Sequence, residues 1–201
     1  MTLSTRMTNP YDMRDLTPPP LDTIDDFVRV VTGGGDRRVM NYALWEARQD
    51  CSRWLALFQA LANVPRPSVD CRRAFFEVLT GDHGLRIRDH FSVDPLVPAA
   101  LANLAPGYSG PPVELFRGER WSNHLNKAYG FSWTTIRKAA EMFANGLNCF
   151  PPDGGVLLTT IAPARAILSE PNDHSRYLGE DEYVVDRRGL KEVAVVKRFW
   201  P

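Results

Sequence analysis

Helix-type and strand-type hydrophobic patterns occupy separate parts of this chain, and this order limits the folds that it can adopt. From Leu21 to about Ala105 the apolar residues recur at helical spacing, whereas from Val113 onward they form β-branched runs bounded by glycine and proline. Helices followed by strands indicate an α+β domain, because βαβ folds alternate the two patterns along the chain. We therefore expect a helical part over 21–111 and a β-rich part over 112–201.

The helical part begins with a pattern whose two ends are both marked. Thr23 stands three residues before Asp26, which is the spacing of a capping box, and Gly33-Gly34-Gly35 stops the run. A second helix with a single apolar face is expected from Met40 to Asn63. The residues that repeat along that face are Ala47, Cys51, Trp54, Phe58 and Leu61.

Further elements follow from capping residues and from β-branched runs. Ser68 is placed to cap a third helix, and prolines across Asp82–Pro111 predict a short helix and loops. Another helix is expected over Ile136–Leu147, and the turn residues Asp186–Gly189 would join the last two strands as an antiparallel pair. We expect the last three strands to be buried. The strand-type runs are Val113–Gly118, Phe131–Thr134, Val156–Ile161, Tyr183–Val185 and Val193–Val196.

Composition narrows the classes of protein. A chain of 201 residues with 44% hydrophobic residues can bury the core of one domain over 21–201, and its formal net charge of zero gives no bulk attraction to nucleic acid or membrane. Scattered Cys51, Cys71 and Cys149 disfavour a disulfide framework or a zinc site and indicate a reducing compartment. Residues 1–20 hold no apolar core, so we interpret them as a flexible leader, with a non-cleaved export signal as the open alternative.

Two carboxylates stand two residues apart at a predicted loop-to-strand transition, in the run Tyr177-Leu178-Gly179-Glu180-Asp181-Glu182. Alternation along a strand would place Glu180 and Glu182 on one face. Adjacent like charges raise each other's proton affinity, so a pair aimed into a groove indicates a cationic ligand or a proton transfer. A solvated acidic turn is the alternative for these residues taken alone.

Three short motifs occur in order in the β-rich part: Arg117-Gly118 at the end of a strand, Ser132-Trp133-Thr134, and Glu180-x-Glu182. This order resembles the Arg-Ser-Glu signature of cholera-toxin-like mono-ADP-ribosyltransferases, over roughly the last ninety residues. The run Ala139–Ala144 looks like the Ala-x-x-Phe-Ala helix of that family, and the loop 177–182 is similar to the acceptor-recognition loop of its exoenzyme branch. The resemblance implies N-terminal helices packed on a split β-sandwich whose central cleft holds NAD as co-substrate, without a metal.

The resemblance also implies catalytic roles, for Arg117, Ser132, Glu180 and Glu182. Glu182 would stabilise the oxocarbenium-like ribosyl cation that forms as nicotinamide departs. Ser132 would hydrogen-bond Glu182, with Phe131 and Trp133 turned the opposite way into the core. Glu180 would meet the acceptor, and because a glutamate at this position accompanies arginine acceptors in the family, the expected target is a protein arginine.

On the NAD side, Arg117 would hold phosphate oxygens with its planar guanidinium group. Gly118 lacks a Cβ, so the backbone there would approach the nicotinamide carboxamide closely. Tyr177 would join Glu180 in acceptor recognition. The remaining cofactor-binding candidates are Ser132, Thr134 and Arg165, of which the last lies where relatives carry a phosphate-and-nicotinamide loop.

Several alternatives stay open at this point. On the same fold, water can intercept the cation, which is NAD glycohydrolysis, or a nucleic-acid base can accept it, and a degenerate cleft would leave a binding module. The expected partner is a protein target, with an inhibitory antitoxin, an immunity protein or a chaperone left open, and no membrane. The expected location is the cytoplasm, either of the producing cell or of a target cell. Asp82-His83 with Asp89-His90 has no known metal-ligand spacing.

Overall fold

The computed structural model describes residues 15–83 and 96–201. Most of the predicted leader, together with Asp89-His90, lies outside the described residues. The first helices are α1 (Ile24–Thr32), α2 (Arg37–Ala47), α3 (Cys51–Leu61), α4 (Val69–Val78) and α5 (Leu96–Leu104). All five precede every described strand, as the sequence predicts. Within the described ranges, every helix is too short or too polar to cross a bilayer.

The predicted caps of α1 and α4 are confirmed. The Thr23 hydroxyl accepts a hydrogen bond from Asp26 N at 3.3 Å, and the Asp26 carboxylate accepts one from Thr23 N at 3.0 Å. The Ser68 hydroxyl accepts from Cys71 N at 3.2 Å at the start of α4. A wider helical turn over Leu79–His83 directly follows α4.

The single helix predicted over Met40–Asn63 is wrong, since the chain forms α2 and α3 with a break between them. Asp50 starts α3, because its carboxylate accepts a hydrogen bond from Arg53 N at 2.9 Å. Ala47 before the break and Trp54 after it are both fully buried in the same apolar core. The apolar spacing therefore continues across the break, and periodicity alone does not reveal it.

The strands are β1 (Val113–Arg120), β2 (Ser132–Thr134), β3 (Gly155–Ala162), β4 (Ile167–Ser169), β5 (Glu182–Val185) and β6 (Ala194–Phe199). The described residues form one six-stranded antiparallel sheet in the order β4-β5-β2-β1-β3-β6. Three helices lie between the strands: α6 (Trp121–Leu125), α7 (Arg137–Asn145) and α8 (Asp173–Tyr177). The predicted α+β class is confirmed.

The joint between β1 and β2 divides the sheet into two parts. β1 pairs with β3 along its whole length, whereas it meets β2 at the pair Phe116 opposite Thr134. β2 in turn pairs with β5, where Thr134 lies opposite Glu182. The part β1-β3-β6 and the part β2-β5-β4 therefore separate on either side of this joint.

Three apolar clusters connect the layers of the molecule. The first joins helices α1 to α5 to one face of the part β2-β5-β4, at Val184. The second lies between the two sheet parts, with Leu115 from one part and Trp133 from the other. The third packs α7 on the outer face of β1-β3-β6, where Ala144 meets Leu157. Burial of apolar side chains on both faces of each part stabilises the stack of layers.

The predicted pairing of the last two strands is wrong. β5 lies between β4 and β2, whereas β6 pairs with β3 at the opposite edge of the sheet. The short strand β4, which the sequence analysis missed, lies beside β5, and Asp186 N donates to Ala166 O at 2.8 Å just beyond that pairing. β6 is also largely exposed rather than buried, with Val195 45% exposed, because side chains at the edge of a sheet have fewer neighbouring residues to cover them.

Candidate functional site

A cleft of about 310 Å³ opens where β1 and β2 separate. Its walls come from the middle of β1, from β2, helix α7, the turn after α4 and the loop that enters β5. Pockets of about this volume are typical of small-molecule sites. The cleft therefore lies at the point where the helical part and both parts of the sheet meet.

The structure brings most of the predicted site residues into this cleft. Two predicted residues lie outside the set of described residues that line it. Arg165 is exposed in the turn between β3 and β4, and Tyr177 is 86% exposed at the end of α8. The predicted residues that do line the cleft are Arg117, Gly118, Ser132, Thr134, Glu180 and Glu182.

Glu180 and Glu182 reach the cleft by a route different from the predicted one. β5 begins at Glu182, so Glu180 belongs to the preceding loop and not to the same strand. Asp181 has a left-handed backbone conformation with φ of 41°, which interrupts the strand alternation. Thr134 holds the loop by donating its hydroxyl to the Glu180 carbonyl, and Glu182 N donates to the Ser175 hydroxyl at 2.5 Å. The turn, rather than strand alternation, directs both carboxylates into the cleft.

Glu182 has the most perturbed acid–base chemistry in the cleft. The pKa of Glu182 is raised from its ordinary value of 4.5 to about 7. Burial is the main cause and the charge of Glu180 adds to it, whereas a hydrogen bond with Ser132 and the charge of Arg117 oppose the rise. Burial also raises the pKa of Glu180, and nearby His174 partly offsets that rise. A carboxyl that titrates near neutral pH in a cleft is typical of a functional site.

The register of β2 places Ser132 on the face that carries Glu182. Thr134 lies opposite Glu182, and Ser132, two residues earlier in the strand, shares that face. Trp133 points into the core between the two sheet parts, as predicted. The prediction for Phe131 is wrong, because this residue precedes β2 and packs in the helical core on the same side as Ser132.

The protein itself engages much of the Arg117 guanidinium group. Its Nε donates to Glu119 Oε2 at 2.8 Å, and its Nη1 donates to the Ser132 carbonyl. A Cβ on Gly130 would lie 2.2 Å from Nη2, so the group is seated directly over that glycine. Two nitrogens of the guanidinium group that was predicted to bind phosphate oxygens are therefore engaged within the protein, and one of these contacts joins β1 to β2.

Gly118 has a packing role that the sequence analysis did not predict. A Cβ at this position would lie 2.4 Å from both Ala140 O and Ala144 N. Helix α7 therefore lies on β1 at a distance that a glycine alone permits. The sequence analysis predicted a different reason for a glycine at position 118, namely close approach of the backbone to the nicotinamide carboxamide.

Sequence reasoning missed several residues of the site region. Glu119 is fully buried beside Arg117, and the opposite charges of Arg117-x-Glu119 on one face of a strand were the available sign, since buried charges are paired. Thr80 and Gly81 line the cleft from the helical part, and Asn148 lines its other end. These three carry no local motif, so only the fold brings them to the cleft.

No protein-family model, curated protein or solved structure matches this chain. The function is therefore inferred from the chemistry of the cleft. In the described ranges, no three His, Cys, Asp or Glu side chains converge as a metal site. The cleft combines a carboxyl that titrates near neutrality, a hydroxyl bonded to it and a guanidinium group, and such a set can stabilise positive charge that develops on a bound anionic substrate.

Proposed function

We propose that this protein is an NAD-dependent mono-ADP-ribosyltransferase. It transfers ADP-ribose from NAD to an acceptor, a protein arginine, and releases nicotinamide. The observation that carries the proposal is that Arg117, Ser132 and Glu182, from β1, β2 and β5, line one cleft and follow the order of the family signature.

The architecture supports this proposal. A split β-sandwich needs two sheet parts that share a core and separate around a cleft. In this chain β1 and β2 meet at the pair Phe116 opposite Thr134, an apolar cluster lies between the two parts, and the cleft opens beside the joint. We propose that α1 to α5 and this sheet form an ADP-ribosyltransferase fold.

Cleavage of NAD needs stabilisation of positive charge rather than a general acid. The bond between ribose C1′ and the pyridinium nitrogen breaks, its electron pair neutralises the pyridinium, and an oxocarbenium-like ribosyl cation develops. The ionised Glu182 carboxylate would stabilise that cation, and the Ser132 hydroxyl, which hydrogen-bonds the carboxylate, would orient it. Arg117 adds the positive charge that suits the phosphate oxygens of NAD.

Glu180 lies on the same wall of the cleft and supplies the acceptor chemistry in this proposal. A guanidinium nitrogen that bonds to C1′ must lose one proton, and Glu180 would accept it. Burial raises the pKa of Glu180, which makes its carboxylate a stronger base than an exposed glutamate. The step then yields ADP-ribosylated arginine, neutral nicotinamide and a protonated glutamate that releases its proton to solvent.

The proposal is tested by incubating the wild-type protein with NAD labelled in its adenylate part and an arginine-containing peptide. We expect nicotinamide release and label on the peptide from the wild type, and loss of both in Glu182→Gln. Asp181→Asn is the matched control, because it removes a neighbouring charge at a left-handed backbone position that asparagine tolerates. Absence of nicotinamide release by the wild type, or equal release by Glu182→Gln, would contradict the proposal.

The position of the label separates the alternatives on the same fold. Label recovered as free ADP-ribose indicates a glycohydrolase, and label on added RNA or DNA indicates a nucleic-acid acceptor. Binding of NAD without cleavage indicates a degenerate binding module. For the proposed transferase, Glu180→Gln should retain NAD hydrolysis and lose transfer to the peptide, because Glu180 acts on the acceptor.

A further inference from the structure

We infer that Glu119 is a positioning residue of the cleft, which fixes the Arg117 guanidinium group and, through it, the strand that carries Ser132. The inference rests on the proposed function for its kinetic consequence, but it is argued from separate contacts. Glu119 is fully buried and is not among the described residues that line the cleft, so it acts through another residue rather than on substrate.

The hydrogen bonds of Glu119 join three segments of the chain. Its Oε2 accepts from Arg117 Nε at 2.8 Å and from Gly130 N at 3.2 Å. Its Oε1 accepts from Arg120 N at 3.0 Å and from Asn123 Nδ2 at 2.9 Å. One carboxylate thereby connects the end of β1, helix α6 and Gly130, which lies two residues before β2. Burial of this charge is stable because both oxygens have N–H partners.

These contacts determine where the Arg117 guanidinium group lies. Nε is held by Glu119, Nη1 is held by the Ser132 carbonyl, and Nη2 lies over Gly130, where a Cβ would be 2.2 Å away. Rotation of the group would break at least one of these bonds. Because the same guanidinium group holds the Ser132 backbone, its position is transmitted to the Ser132 hydroxyl, which bonds Glu182.

Glu119 also limits the charge that Arg117 presents to the cleft. Its carboxylate forms an ion pair with Arg117 at 2.8 Å, and Arg187 lies close enough to interact with the charges of both residues. Arg117 lowers the pKa of Glu182, whereas Glu180 raises it. Removal of the Glu119 charge would leave more of the Arg117 charge uncompensated, which favours the ionised form of Glu182.

The test compares Glu119→Gln, which keeps the shape and removes the charge, with Glu114→Gln, an exposed position on the same strand. For Glu119→Gln we expect kcat/KM for NAD cleavage to fall about 10- to 100-fold, because displaced catalytic groups lose rate steeply. We also expect the titration midpoint of Glu182 to change: it moves to lower pH where Arg117 keeps its position, and to higher pH where Arg117 and Ser132 move away, because both lower the pKa of Glu182. That midpoint is read from the carboxyl ¹³C NMR signal that disappears in Glu182→Gln. Glu114→Gln should match the wild type in both measurements.

A fall in kcat/KM with an unchanged Glu182 midpoint would overturn the inference, since a merely structural defect predicts that result. Wild-type values of both kcat/KM and the midpoint in Glu119→Gln would overturn it as well. Failure of the proposed function is distinguishable: a wild-type protein that does not cleave NAD defeats that proposal, while the NMR titration still decides the role of Glu119.

If Glu119→Gln does not fold, Asn123→Ala replaces it, because this variant removes one hydrogen-bond partner of Glu119 Oε1. We then expect an about two- to fivefold fall in kcat/KM, and an unchanged rate would overturn the inference.

Discussion

Glu119 and Glu182 are two glutamates within the β-rich part whose surroundings differ sharply. Glu119 is enclosed by N–H donors from Arg117, Gly130, Arg120 and Asn123, and its charge is paired. Glu182 has the Ser132 hydroxyl as a partner and the like charge of Glu180 beside it, and burial raises the pKa of Glu182 to about 7.

The difference shows how one sheet can hold a carboxylate whose charge is paired and another whose pKa is raised. A carboxylate whose oxygens are occupied by donors lowers the free energy of the folded state and has little capacity left for a ligand. A carboxylate with few donors is costly to ionise in the folded state, and a cation brought by a substrate relieves that cost. Four predictions test whether the two glutamates differ in this way.

The largest expected effect is on stability at Glu119. Glu119→Ala should lower the free energy of unfolding by about 3 to 5 kcal/mol, because it leaves the Arg117 charge buried without its partner. Urea denaturation followed by circular dichroism measures this loss. Glu114→Ala, at an exposed position of the same strand, should change it by no more than about 0.5 kcal/mol. Equal losses in the two variants would remove the contrast between the glutamates.

The next effect is on the rate of NAD cleavage at Glu182. Glu182→Gln should lower kcat by about 10²- to 10³-fold, since a preorganised charge is lost from the developing cation. In the wild type, kcat/KM should rise with pH to a plateau, with a midpoint near the Glu182 pKa of about 7, because the ionised form is the active one. A rate that falls over the same pH range would show that the protonated form is required.

A smaller effect is expected on the free energy of unfolding when Glu182 is replaced: the substitution should stabilise the protein, whereas replacement of Glu119 should destabilise it. The folded-state pKa of about 7 lies above the ordinary 4.5, so between these values the folded protein binds the extra proton and loses stability as pH rises. Glu182→Gln should therefore resemble the wild type at pH 4 and be more stable by about 3 kcal/mol at pH 8. Thermal unfolding at both pH values measures the difference. A variant less stable than the wild type at pH 8 would contradict the cost assigned to Glu182.

The smallest effect is a shift of the pH profile on removal of the Ser132 hydroxyl. Its hydrogen bond lowers the pKa of Glu182, so Ser132→Ala should move the midpoint of kcat/KM upward by about half a unit to one unit. Ser122→Ala, on α6 and outside the set of described cleft residues, should leave the midpoint unchanged. A shift to lower pH in Ser132→Ala would mean that the hydroxyl favours the protonated carboxyl.

The sequence predicted correctly the starts of two helices, each marked by a capping side chain. Thr23 and Ser68 identified the starts of α1 and α4, because capping needs residues within one turn of each other. The break at Asp50 was missed, since the apolar spacing of α2 continues into α3. The pairing of β5 with β4 was also missed, because β4 is three residues long and gives almost no periodic pattern.

The candidate site divides in the same way. The motifs that carry Arg117, Ser132 and Glu182 are visible along the chain, and these residues do line one cleft. The route by which Glu180 reaches that cleft was not predictable, because it depends on the left-handed turn at Asp181. Arg165 was expected at the site because the resemblance places it where relatives carry a phosphate-and-nicotinamide loop, and it lies outside the set of described residues that line the cleft.

The sequence by itself determined that helices precede strands, where several of them begin, and that three short motifs follow one another in a set order. Each of these depends on residue types and spacings along the chain. The tertiary structure alone decided that Glu119 pairs with Arg117, that α7 covers Gly118 and that Glu182 lies half-buried beside Glu180. Pairing, close packing and pKa depend on neighbours from distant segments, and the linear order does not contain those distances.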